Sequence, residues 1–197
     1  MLVLAINSCL PACDAAIGRF DESGQIDVLA QNTEPMRRGQ DARLPGFVSE
    51  LCDVAGIDLS ELGRIAVVTG PGSFTGIRIG VAFARGLSLG FSIPVVGLTS
   101  LEAGTDKNAS GLFGFSAQKR PPDRTWWVQS LQNGLGTDEV IERSEADLPV
   151  GAFQEVEPSA VHALQKAMLV SPESHPASPV YARLPDAAPP KTPSVSG

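Results

Sequence analysis

The sequence predicts an α/β protein built on a mixed β-sheet, and three observations carry that expectation. Two apolar stretches flank Asp21-Glu-Ser-Gly24, whose residues suit a hairpin turn. Arg64–Thr69 is a near-continuous apolar run, the pattern of a strand buried on both faces and parallel to its neighbours. The glycine-rich loop Gly70-Pro-Gly-Ser-Phe-Thr-Gly-Ile-Arg78 then joins that run to an apolar helix.

Taken in order, Val3–Asn7, Ala15–Phe20 and Ile26–Gln31 are strands, forming an antiparallel meander. From Asp41 the residues Leu44, Phe47, Val48, Leu51, Cys52 and Ala55 fall on one helical stripe, and Gly56 stands where a C-cap glycine belongs. Arg64–Thr69 follows, then a helix from Thr75 to Leu89 stopped by Gly90. Pro94-Val-Val-Gly97 is a short buried strand, and Thr99-Ser-Leu-Glu102 has the form of a capping box opening a third helix. The order β-β-β-α-β-α-β-α is the half-unit of the ribonuclease-H-like architecture. Beyond residue 105 the pattern weakens. Trp126–Leu131 is a strand. Pro158–Val170 is a helix with Val161, Leu164, Met168 and Leu169 on its apolar side. Residues 170–197 hold 7 of the 16 prolines and predict an extended tail, of which Val180–Leu184 can dock on the body. The division expected is 1–105 for the first lobe, 106–184 for a shortened second lobe and 185–197 for a flexible tail.

At 197 residues and 43% hydrophobic content the chain can bury a substantial core. A net charge of −7, with acids in excess in both halves, disfavours a broad electrostatic grip on nucleic acid. The opening Met-Leu-Val-Leu-Ala-Ile-Asn has no basic leader, and no apolar run reaches the roughly 20 residues of a membrane span. Three scattered cysteines fit a reduced, cytoplasmic setting.

The glycine loop is the strongest local signal. Gly70, Gly72 and Gly76, with Ser73 and Thr75 at the helix start and Arg78 one turn on, can be read as a phosphate cradle. No lysine follows Gly76, so the same residues can equally be a tight turn in which Ser73 or Thr75 caps the helix. Along that helix Gly76, Gly80, Ala84 and Ser88 form a small-residue ridge, and Ile79, Phe83 and Leu87 a bulky one. Two ridges mean two packing partners: the chain's own sheet, and a neighbouring helix or another subunit. Catalytic candidates are thin. His162 and His175 are the only histidines, and Cys9, Cys13 and Cys52 form no C-x-x-C pair, so no metal site is expected. Asp14 is a lone carboxylate after the first strand. Lys119-Arg120, Arg124, Trp126 and Trp127 could form a small basic-aromatic contact, though a solvated loop entering a strand explains them as well.

Leu2–Ser8, Arg37–Leu51, Ile65–Arg78 and Pro94–Leu101 together resemble the bacterial tRNA threonylcarbamoyladenosine biosynthesis family TsaB, also called YeaZ and glycoprotease-like. The Gly70–Arg78 stretch matches that family's signature residue for residue, and Pro179–Asp186 is a second, weaker match. The resemblance implies an actin-like two-lobed fold and a subunit without catalysis of its own. Such a subunit pairs with the catalytic paralogue TsaD and the ATPase TsaE to modify the adenosine beside the tRNA anticodon. ATP and magnesium would then belong to partner subunits, tRNA would be met at most indirectly, and the isolated chain would form a homodimer. By position the interface helices are those near 41–55 and 75–89, which marks Leu44, Phe47, Leu51, Gly76, Ile79, Gly80, Phe83, Ala84 and Leu87 as interface residues. Where family members read Asp-Thr-Ser, this chain has Asn7-Ser8-Cys9, and Gln40 stands where many carry histidine. The competing expectation is a nucleotide- or sugar-phosphate-binding kinase-like enzyme using the Gly70–Arg78 loop. A protease has no Ser/His or Cys/His pair to support it.

Overall fold

The structure, a computed structural model, describes residues 1–118, 124–148 and 153–182. Strands β1 (Leu2–Asn7), β2 (Ala12–Phe20) and β3 (Ile26–Pro35) form the expected meander. Helix α1 (Gln40–Ala55), strand β4 (Leu62–Gly70), helix α2 (Phe74–Phe91) and strand β5 (Val95–Thr99) complete the first unit. The sheet order is β3-β2-β1-β4-β5, with β4 parallel to both β1 and β5. This is the ribonuclease-H-like half-unit.

The third helix expected after β5 is absent. Thr99 and Glu102 do make the reciprocal capping box: Thr99 Oγ1 accepts from Glu102 N at 3.1 Å and a Glu102 carboxylate oxygen from Thr99 N at 2.7 Å. Only one 3-10 turn (Glu102–Gly104) follows. The Lys166 ammonium donates to the carbonyls of Glu102 and Thr105 and to Thr105 Oγ1, which takes up the acceptors a continuing helix would use. Residues 105–110, Thr-Asp-Lys-Asn-Ala-Ser, also lack an apolar stripe to extend it.

A second sheet carries β6 (Gly111–Gln118), β7 (Thr125–Gln132), β8 (Leu135–Gly136), β9 (Ile141–Ser144) and β10 (Phe153–Glu155). Its small core is Leu101, Phe113 and Leu131. The chain then returns to the first sheet through α3 (Ala160–Lys166). This helix is shorter than the 158–170 predicted, and its buried face is Ala160, Ala163 and Leu164; Met168 and Leu169 are exposed. Side-chain alternation places α3 opposite α2. Val67 of β4 faces α2, whereas Gly18 of β2, out of phase with it in register, faces Leu164. A Cβ at Gly18 would lie 2.9 Å from Leu164 Cδ2, so glycine there lets α3 sit close. The proline-rich 185–197 stretch lies outside the described residues.

Lys166 has no exposed surface, and burial pushes its pKa down from 10.5 to about 8. Below pH 8 folded and unfolded chains both hold the proton, and the cost of burying the charge is fully expressed. Between pH 8 and 10.5 only the unfolded chain binds it, so stability rises with pH, by about 3 kcal/mol in all. In urea unfolding across this range the stability of the wild type should rise with pH relative to that of Lys166→Met. Parallel pH curves would contradict it.

Candidate functional site

The Gly70–Arg78 loop is held from within. Gly70 adopts φ of 107°, its peptide bond to Pro71 is cis, and its carbonyl accepts from Ser100 N at 2.7 Å. Ser73 N donates to Cys9 O at 2.7 Å, and Ser73 Oγ caps α2 by accepting from Gly76 N at 3.2 Å. The hydroxyl that caps is therefore Ser73; Thr75 is exposed. At Gly72 a Cβ would stand 2.6 Å from Cys9 O, so close packing explains that glycine without a ligand.

Beside the loop lies an interlobe cleft of about 720 Å³, lined by Cys9, Ser73, Phe115, Trp127, Glu155 and Glu157 among others. Two glutamates and no basic residue among the described lining residues make it a poor seat for phosphate. Asn7 is fully engaged. Its Nδ2 donates to Asp14 and to Pro158 O, and its Oδ1 accepts from Cys9 N. Asp14 also accepts from Thr33 Oγ1 and Ala160 N, tying β2 to the start of α3; burial raises its pKa. Gln40 clamps the β1–β2 connection by donating to Leu10 O and Ala12 O.

Helix α2 has three sides. Gly76, Gly80 and Ala84 are buried, and Cβ atoms at the two glycines would strike Ser8 O and Ser8 Oγ. This ridge packs inside the chain, on Ser8 just past β1 and on Val67 of β4, so it is turned inward rather than toward a partner. The same correction applies to α1, where Leu44, Phe47 and Leu51 are at most 4% exposed, facing the core. Ile79, Phe83 and Leu87 are half-buried against that core. The third side, which the sequence reading passed over, carries Ala82, Gly86, Leu89 and Gly90, all exposed. Added Cβ atoms at Gly86 and Gly90 would meet nothing within 4 Å. Ala82, Gly86 and Gly90 are spaced by four like the inner ridge, so the pattern was present in the sequence, but spacing alone could not say which small ridge pointed outward. Between α1 and α2 a groove of about 470 Å³ is lined by Asp41, Phe74, Arg78, Ile79, Ala82 and Phe83.

The remaining candidates take structural places. The Cys9 thiol, pushed up to about 12 by burial, is unreactive at neutral pH, and all three cysteines are free and buried. His175 Nε2 sits 3.4 Å from the buried Glu102 carboxylate. Burial opposes ionisation of Glu102, but the hydrogen bonds from His175, Gly136 N and Thr99 N outweigh it and hold its pKa below the usual range. Burial lowers the pKa of His162. Trp126 is buried edge-on to Phe153, Trp127 is only partly exposed, and Arg124 faces Glu145, so these residues form no basic-aromatic platform. Lys119 and Arg120 lie outside the described residues. Among the described residues no group of three His, Cys, Asp or Glu side chains could hold a metal ion. No helix among them is long and apolar enough to cross a membrane.

Two lobes, a ribonuclease-H-like first sheet and a cleft between them define an actin-like α/β protein. A solved structure from Pseudomonas aeruginosa, described as similar to the peptidase YeaZ, matches 92% of the chain with a TM-score of 0.71 at 22% identity. The family model for TsaD, tRNA N6-adenosine threonylcarbamoyltransferase, matches residues 29–111. The tRNA threonylcarbamoyladenosine biosynthesis protein TsaB of Haemophilus influenzae is 34% identical over 52% of this chain, and that of Bacillus subtilis 34% identical over 68%. Over part of its length the chain is similar to these TsaB proteins, and its fold is that of the YeaZ-like structure. The matched stretches span 41% and 58% of those two proteins' own lengths.

Proposed function

We propose that this chain is a non-catalytic subunit in tRNA threonylcarbamoyladenosine formation, docking a TsaD-like catalytic subunit through the outer face of α2. The observation that carries this is the Ala82–Gly86–Gly90 ridge. Glycine inside a helix costs about 1 kcal/mol relative to alanine, and among the described residues nothing approaches Gly86 or Gly90 to recover it. A second helix packed there would. Because the TsaD family model covers α1, α2 and strand β4 between them, a TsaD-like partner carries a like helix pair, and two such pairs can meet across a pseudo-two-fold axis. A second copy of this chain would fill the same face in the partner's absence. ATP and magnesium are assigned to the partner and to a TsaE-like ATPase, and tRNA to the assembled complex. The cytoplasm is the setting proposed.

The test is a pull-down with the TsaD-like protein of the same organism, with and without ATP and the TsaE-like ATPase, alongside an ATPase assay of the chain alone. Association is expected, and no turnover by the chain alone at any magnesium concentration. Robust hydrolysis would favour the kinase-like reading instead.

A further inference from the structure

Beyond α3 the chain runs back over the first sheet as a strap, Ser174–Tyr181. Gly97 N of β5 donates to His175 O, and Val180 N donates to Thr69 O of β4, both at 2.8 Å. Room for it is made by two glycines: a Cβ at Gly97 would lie 2.5 Å from Pro176 O, and one at Gly70 would lie 2.9 Å from Val180 O. The strap ends at the start of α2. There Tyr181 OH accepts from Arg78 Nε at 2.9 Å, the Arg78 guanidinium lies 3.8 Å over the Phe74 ring, and the two rings are 5.2 Å apart.

Arg78 is thus exposed yet held by the Tyr181 hydroxyl and the Phe74 ring, with Nε occupied and, among the described residues, no hydrogen-bond partner on its two terminal nitrogens. Asp41 lines the same groove, but among the described residues no carboxylate lies within ion-pair distance of Arg78. A stacked guanidinium whose orientation is already fixed loses little freedom on binding and matches a carboxylate with both hydrogen bonds.

We infer that Arg78 is a preformed fork for a carboxylate of the docking subunit, and that the strap, through Tyr181, is what orients it. This rests on the docking role proposed above and names one chemical group on the partner. Arg78 touches the partner; Tyr181 is a positioning residue.

The experiment titrates the wild type, Arg78→Ala, Arg78→Lys and Tyr181→Phe against the TsaD-like subunit at low and at raised salt. Arg78→Ala should weaken binding about 10- to 100-fold and flatten its salt dependence. Arg78→Lys should keep the salt dependence while losing about 10-fold, since a point charge replaces a fork. Tyr181→Phe keeps the ring and should cost about 5-fold at unchanged thermal stability. Wild-type binding with Arg78→Ala equally tight and equally salt-dependent would overturn the inference and leave docking intact. Failure of the wild type to bind would overturn docking and the fork with it.

Discussion

Replacing Gly76 by alanine should destabilise the fold by about 3 kcal/mol, the largest loss expected of a single added methyl in this chain. The new Cβ would strike Ser8 O, a backbone atom just past the end of the central strand β1, and would lie 3.1 Å from Ser8 C and 3.3 Å from Ser73 Cβ. None of these is the free end of a flexible side chain. Ser8 Oγ also donates to Gly76 O at 2.8 Å, so moving α2 outward breaks a buried hydrogen bond as well. Gly86→Ala is the matched control, one methyl on the same helix facing open space. It should stabilise by about 1 kcal/mol. Urea midpoints for the two variants should move in opposite directions. Shifts of the same sign would mean that α2 does not lie on β1 by this face.

Gly86→Leu should leave folding intact and weaken association with the TsaD-like subunit at least about 100-fold. Leucine is a good helix former, and among the described residues nothing lies within 4 Å of a Cβ at this position. On a docked helix the same side chain would stand between two backbones that small residues allow to approach. The variant is more diagnostic than a bulky replacement at Gly80 or Ala84, which the resemblance marked as interface residues. Those positions are buried, and their loss of binding would report only a damaged lobe.

The first lobe was legible because its signals are local. The hairpin chemistry at Asp21–Gly24, the stripe from Leu44 to Cys52 and the apolar run Arg64–Thr69 each point to one element, and each forms. Where the reading failed, long-range contacts had intervened. The Thr99–Glu102 capping box is real, but Lys166, 64 residues away from Glu102, takes the carbonyls that would have continued the helix. Strand β6 escaped notice because Gly111 and Gly114 interrupt an otherwise apolar run, and Gly114 is needed where a Cβ would stand 2.6 Å from Phe153. On α2 the spacing revealed small-residue ridges without saying which one faced the sheet; that depended on Ser8, 68 residues from Gly76. Residues 180–182 do dock on the body, and the partner of Tyr181, Arg78, could not be read from either segment alone.

The central claim is that the chain acts through the outer face of α2 on a TsaD-like catalyst. Its most direct measurement is threonylcarbamoyl transfer to tRNA by the TsaD-like subunit, supplied with the TsaE-like ATPase and a threonylcarbamoyl donor, with wild type or Gly86→Leu added. Wild type should restore transfer and Gly86→Leu should not, although both are folded to the same degree. Equal transfer with the two proteins, or full transfer with neither present, would contradict it.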